Sequence, residues 1–157
     1  MTQEEKQLLL QDLCAKLPYG VVCTDNRHGD SRVSLIDINL SSKAISVYYW
    51  DFDEYGDIEY CKPYLRPMPS MTEEEAREIA ALHDIKDILS VNVTDEYIDY
   101  IVDDGFSSTE RRTLWYDELI SSIECFDWFS AHHFDYRGLI PMNLALEAPE
   151  GMYKKGE

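Results

Sequence analysis

Apolar residues recur at helical intervals up to about residue 17, alternate with polar ones from about 21 to 61, and return to helical spacing over about 73–83 and 115–131. Leu9, Leu10, Leu13 and Leu17 form the first stripe, and Thr2 with Glu5 makes a capping-box pair ahead of it. Pro18-Tyr19-Gly20 stops the run, so a helix is predicted over 3–16. Val21 to Thr24 then reads as a short strand and Asn26 to Asp30 as a turn. Val33, Leu35, Ile36, Ile38 and Leu40 make a second strand. Ser41-Ser42-Lys43 turns into the β-branched and aromatic run Ala44–Trp50. Asp51–Asp57 reads as a polar loop and Ile58–Cys61 as a fourth strand. An antiparallel meander this small needs curling or a covering helix. The first helix supplies the cover, and an SH3-like curl is one way to close the sheet.

Pro63, Pro67 and Pro69 predict an extended connector over 62–70, because proline lacks a ladder donor and restricts its predecessor. Thr72 and Glu75 then form a second capping box for a helix over 73–83, with Ala76, Ile79, Ala80 and His83 on one side. Ile88–Val93 favours a strand. For 95–104 the capping candidates Thr94 and Gly105 favour a helix carrying Tyr97, Ile98, Ile101 and Val102, although Ile98, Tyr100 and Val102 also alternate as in a strand. Leu119, Ile123, Phe126 and Phe129, with Trp115, predict a last helix over 115–131. The expected fold class is α+β: an N-terminal helix on a small curled antiparallel sheet over 1–69, a mainly helical acidic half over 70–150, and a flexible tail over 151–157.

Charge sharpens this division. The net charge is −17, of which residues 1–70 carry 11 acidic and 7 basic side chains and residues 71–157 carry 20 and 7. Such a field repels phosphate backbones, disfavours direct nucleic-acid binding and suits a basic protein partner. No apolar run approaches the roughly 20 residues of a membrane helix. The acidic start Thr2–Glu5 lacks the order of a signal peptide. Cys14, Cys23, Cys61 and Cys125 form no CxxC pair and read as buried hydrophobes in a reducing compartment, so a cytoplasmic protein is expected.

Candidate chemistry is sparse. Asp51, Asp53 and Gly56 begin like a calcium loop, but Tyr55 and Lys62 stand where ligands belong. Asp95, Asp99 and Asp103 would line one face of the expected helix. With Glu96, Asp104, Trp115 and Tyr116 they form the candidate partner surface. His132, His133 and Asp135 resemble a metal site only in density, because adjacent helical histidines diverge by about 100°. No HExxH, GxSxG, P-loop or GxGxxG accompanies them. No catalytic, metal or cofactor residue is therefore assigned. His133, Asp135, Tyr136, Arg137 and Gly138 read instead as a structural clasp, in which arginine donors tie loop acceptors and glycine permits a positive φ.

Several blocks carry a resemblance: Leu9–Cys14, Leu17–Val21, Lys62–Met68 with Ser70–Glu75, and His132–Ile140 with Leu144–Glu150. Together they resemble a family of short acidic proteins of gut anaerobic bacteria and their phages or prophages, to which no activity attaches. The resemblance implies a bacterial or phage cytoplasmic setting and carries over no functional residue. The expected function is a non-enzymatic interaction module with an acidic docking surface. A DNA-mimic inhibitor and a small metal-dependent hydrolase using His132, His133, Asp135 and Tyr136 are the alternatives.

Overall fold

A computed structural model describes residues 1–28, 31–41, 44–49 and 52–153. Helix α1 spans Gln3–Lys16. The Thr2 hydroxyl accepts from the Glu5 amide at 3.1 Å, and the Glu5 carboxylate accepts from the Thr2 amide at 2.7 Å. Pro18 and Gly20 end the helix in a short 3-10 turn, Leu17–Tyr19.

Six strands follow in one sheet: β1 (Val22–Asp25), β2 (Ser31–Asn39), β3 (Ala44–Tyr49), β4 (Phe52–Asp57), β5 (Cys61–Leu65) and, late in the chain, β9 (Leu146–Glu147). Their order is β4-β3-β2-β1-β5-β9, antiparallel throughout except for β5 with β9. Leu9, Leu10 and Leu13 of α1 share one core with Val21, Cys23, Val33, Leu35, Ile45, Ile58, Cys61 and Leu65. Leu139, Leu144 and Ala145 complete that core from the C-terminal segment.

Two strand assignments change. Residues 52–57, expected as a polar loop, form β4, paired with β3 from Tyr49↔Phe52 to Ala44↔Asp57. An edge strand is held by its backbone ladder, and acidic side chains there discourage further pairing. Ile58–Tyr60, expected as strand, is a 3-10 turn in which the Asp57 carboxylate accepts from the Glu59 amide at 3.0 Å and Ile58 is buried. The strand begins three residues later and runs through Pro63, which faces Cys23 inside the expected connector. Parts of the anticipated 26–30 and 41–43 turns, Trp50, Asp51 of the calcium-like loop, and the tail beyond 153 lie outside the described residues.

The chain forms two compact units, Met1–Arg66 with Ser130–Glu157, and Pro67–Phe129. The second contains α2 (Glu73–Leu82) and a three-stranded antiparallel sheet, β6 (Ile88–Val93), β7 (Tyr97–Asp103) and β8 (Thr109–Trp115), in the order β6-β7-β8. Thr72 and Glu75 form the second capping box as the sequence indicates. After β8 come α3 (Tyr116–Leu119) and α4 (Ile123–Ala131).

The expected mainly helical C-terminal half is therefore corrected. Residues 97–103 are a strand, because Ile98, Tyr100 and Val102 fill one buried face and the Tyr100 hydroxyl donates to the Ala76 carbonyl of α2. Thr94 closes the β6–β7 turn rather than capping a helix: its hydroxyl accepts from the Tyr97 amide at 3.0 Å and donates to the Tyr97 carbonyl at 2.9 Å. The helix expected over 115–131 is broken at 120–122. The Ser121 hydroxyl donates to the Glu118 carbonyl at 2.6 Å, offering the backbone a local alternative to the helix. Ile123, placed on the expected apolar stripe, consequently points to solvent. Among the described residues no helix is long and apolar enough to cross a membrane.

Candidate functional site

The His132–Ile140 run belongs to the first unit and begins where α4 ends. The His133 amide donates to the Ser130 carbonyl at 3.1 Å, and His133 itself takes a positive φ of 61°. The chain then bridges to Arg66: the Arg66 amide donates to the His133 carbonyl, and the Asp135 amide donates to the Arg66 carbonyl, each at 2.8 Å. Phe134, between them, is fully buried, with the Arg66 guanidinium 4.2 Å from its ring centroid. The Asp135 carboxylate accepts from the amides of Leu139 (2.7 Å) and Ile140 (2.9 Å), closing a turn in which Gly138 has a φ of 74°. That turn delivers Leu139 to the core.

His133 is held from both sides. Its Nε2–H donates to the Gly20 carbonyl at 2.7 Å, and its ring stacks on Tyr153 at 3.7 Å and 4°. The Tyr153 hydroxyl donates to the Tyr64 carbonyl at 2.9 Å, which ties Tyr153 to β5. Burial pushes the His133 imidazole below its ordinary range, only partly opposed by the Gly20 bond. Its Nδ1 is buried without a hydrogen-bond partner among the described residues, so the neutral Nε2–H tautomer fits the site.

Tyr136 and Arg137 meet an ion pair that sequence reasoning missed. Asp12 and Lys16, one turn apart on α1, are both fully buried, and the Lys16 ammonium donates to the Asp12 carboxylate. The Arg137 Nε lies 3.6 Å from the same carboxylate oxygen, while an Arg137 amino group donates to Gln11 at 3.4 Å. Lys16 Nζ sits 4.4 Å from the Tyr136 ring centroid, and the Tyr136 hydroxyl lies 3.0 Å from Ser130 Oγ. Burial raises the Asp12 carboxyl and lowers the Lys16 ammonium, and their mutual attraction opposes both shifts. The signal in the sequence was position: Asp12 and Lys16 flank Leu9 and Leu13 on the buried side of one helix.

These groups act as anchors. His133 bonds to Gly20, Asp135 to two amides and Tyr136 to Ser130, so the residues of the hydrolase reading are drawn to three separate destinations. His132 is half-buried. Among the described residues no group of three His, Cys, Asp or Glu side chains is placed to hold a metal ion.

The candidate partner surface lies in the second unit and is rearranged by β7. Asp95 and Glu96 are exposed in the β6–β7 turn. Asp99 is buried, bonded to Arg111 and Thr113 at 2.5 Å each, and the Arg111 guanidinium holds its carboxyl below the usual range. The Asp103 carboxylate accepts from the Gly105 amide at 2.8 Å, and Asp104 accepts from the amides of Phe106 (2.8 Å) and Ser108 (3.2 Å). Trp115 is exposed and packs edge-on against Tyr97 at 4.9 Å. Tyr116 is buried, its hydroxyl donating to the Thr94 carbonyl at 2.8 Å. The helical row of Asp95, Asp99 and Asp103 thus does not form, and Asp99 is taken up by cross-strand bonds while Asp95, Glu96, Asp103 and Trp115 remain exposed. No protein-family model, curated protein or solved structure matches the chain.

Proposed function

We propose that this chain is a protein-interaction module whose 67–129 unit docks a basic protein surface. One observation carries the reading: that unit holds 16 acidic against 4 basic side chains, a net of −12 out of −17. Twelve of those acids are exposed. Three of the four bases are engaged by the unit's own acids, Arg77 by Glu73, Arg111 by Asp99 and Arg112 by Glu110. The exposed field is therefore negative, and it would steer a basic partner and make association salt-sensitive.

The first unit serves as the scaffold in this reading. Its strand order β4-β3-β2-β1-β5, with a 3-10 turn ahead of β5, supports an SH3-like barrel. The bacterial or phage cytoplasmic setting rests on the resemblance of its sequence blocks. DNA mimicry draws less support, since the exposed acids are spread over α2, the turns, β7, β8, α3 and α4 rather than gathered on one element. A hydrolase draws less still, because His133, Asp135 and Tyr136 are committed to anchoring bonds.

The test is capture from lysate of the encoding cells at about 50 mM and about 1 M salt, where the screening length falls to about 3 Å. A basic protein retained only at low salt, and binding the purified chain directly, is expected. Retention of neutral or acidic proteins regardless of salt would overturn the reading.

A further inference from the structure

Phe106 stands at the tip of the β7–β8 hairpin with 87% of its surface exposed. The hairpin that presents it is built to hold one shape. Asp103 accepts from the Gly105 amide, and Asp104 accepts from the amides of Phe106 and Ser108. The Asp104 amide in turn donates to the Ser108 carbonyl at 3.2 Å. Gly105 and Ser107 take positive φ values of 78° and 64°, which turn the chain on either side of the aromatic residue. A single exposed apolar side chain is ordinary on a protein surface. A fully presented phenyl ring on a tip braced by Asp103 and Asp104 is a different arrangement.

We propose that this hairpin is a docking finger, with Phe106 entering an apolar pocket on the partner and the exposed acid Asp103 meeting a lysine or arginine side chain at the pocket rim. The inference rests on the docking reading above and names its anchor. Three physical points favour that occupant. An aromatic side chain in a desolvated pocket is the commonest kind of binding hot spot. A loop already fixed in its bound shape loses little entropy on docking. The unit that carries the ring has a net charge of −12, so a basic rim is attracted and an acidic one repelled. A second copy of this chain brings the same negative field and is the wrong occupant.

The experiment uses the full chain in lysate of the encoding cells, in three forms: wild type, Phe106→Ala, and a form with a photo-crosslinking benzoyl-phenylalanine at position 106. Circular dichroism of the alanine form should match wild type, because the side chain is exposed. The finger predicts that the basic protein captured by wild type binds Phe106→Ala at least about tenfold more weakly. It also predicts that the crosslink maps to an apolar pocket edged by lysine or arginine. Equal capture by wild type and Phe106→Ala overturns the finger and leaves acidic docking standing. A crosslink on a surface without basic side chains overturns it as well. No basic protein captured by wild type at low salt overturns both readings.

Discussion

The buried pair of Asp12 and Lys16 gives the sharpest prediction about the scaffold. Both side chains are fully buried, and Arg137 approaches the same carboxylate at 3.6 Å. Removing one partner of a buried pair costs about 3–5 kcal/mol, because the other charge is stranded. The surroundings make the two single substitutions unequal. Lys16→Met leaves Asp12 with Arg137 beside it, so its loss should fall near the lower value, about 3 kcal/mol. Asp12→Leu leaves Lys16 and Arg137 facing each other with their shared carboxylate gone, so its loss should reach about 5 kcal/mol. The double variant strands neither member of the pair and should lie within about 2 kcal/mol of wild type. Urea unfolding followed by circular dichroism measures all four proteins. In a chain of this size, about 5 kcal/mol corresponds to roughly 10–20 °C in Tm. Equal losses below about 1 kcal/mol for both single variants would refute the reasoning, as they would mean the pair is solvated. Strict additivity in the double variant would refute it too, since coupled neighbours do not add.

Other predictions follow from the same geometry. Asp135→Ala frees the amides of Leu139 and Ile140 and should cost about 2–3 kcal/mol in urea unfolding; Asp135→Asn, which keeps one acceptor, should cost less. Burial lowers the His133 imidazole, and Lys16 and the neighbouring His132 push it the same way. Below 6.5, the ordinary imidazole value, the unfolded chain therefore binds more protons than the folded one, and stability present above that pH is lost as pH falls toward the folded value. His133→Gln should flatten that part of the stability–pH curve, and an unchanged slope would remove His133 as its source. Thr72→Ala should cost about 1 kcal/mol through loss of the α2 cap, read as a lower urea midpoint with the same slope.

Much of the helical part of the fold was legible because its signals are local. The Thr2/Glu5 and Thr72/Glu75 boxes act within one turn, and α1 and α2 begin where those boxes place them. Strand β8 was invisible to pattern, since Thr109-Glu110-Arg111-Arg112-Thr113 has no apolar alternation and is held by its ladder to β7. Residues 97–103 satisfied both periods, and the choice was made by tertiary contact, the Tyr100 hydroxyl reaching Ala76. The His132–Ile140 run stood out by its density of polar groups, and its Asp135 turn closes within five residues. The partners of His133 were not legible, because Gly20 and Tyr153 lie far away in sequence. Asp12 and Lys16 escaped notice because charges on a helix are by default assigned to solvent.

The central claim concerns the negative field of residues 67–129, and the salt dependence of direct binding tests it most closely. The affinity of the captured basic protein should be measured from about 50 mM to about 500 mM salt, for wild type and for a form with Asp95→Asn, Glu96→Gln, Asp117→Asn and Glu118→Gln, all exposed positions. The account predicts a steep loss of wild-type affinity with salt, and a weaker, flatter dependence for the neutralised form. An affinity that ignores both salt and the four substitutions would contradict it.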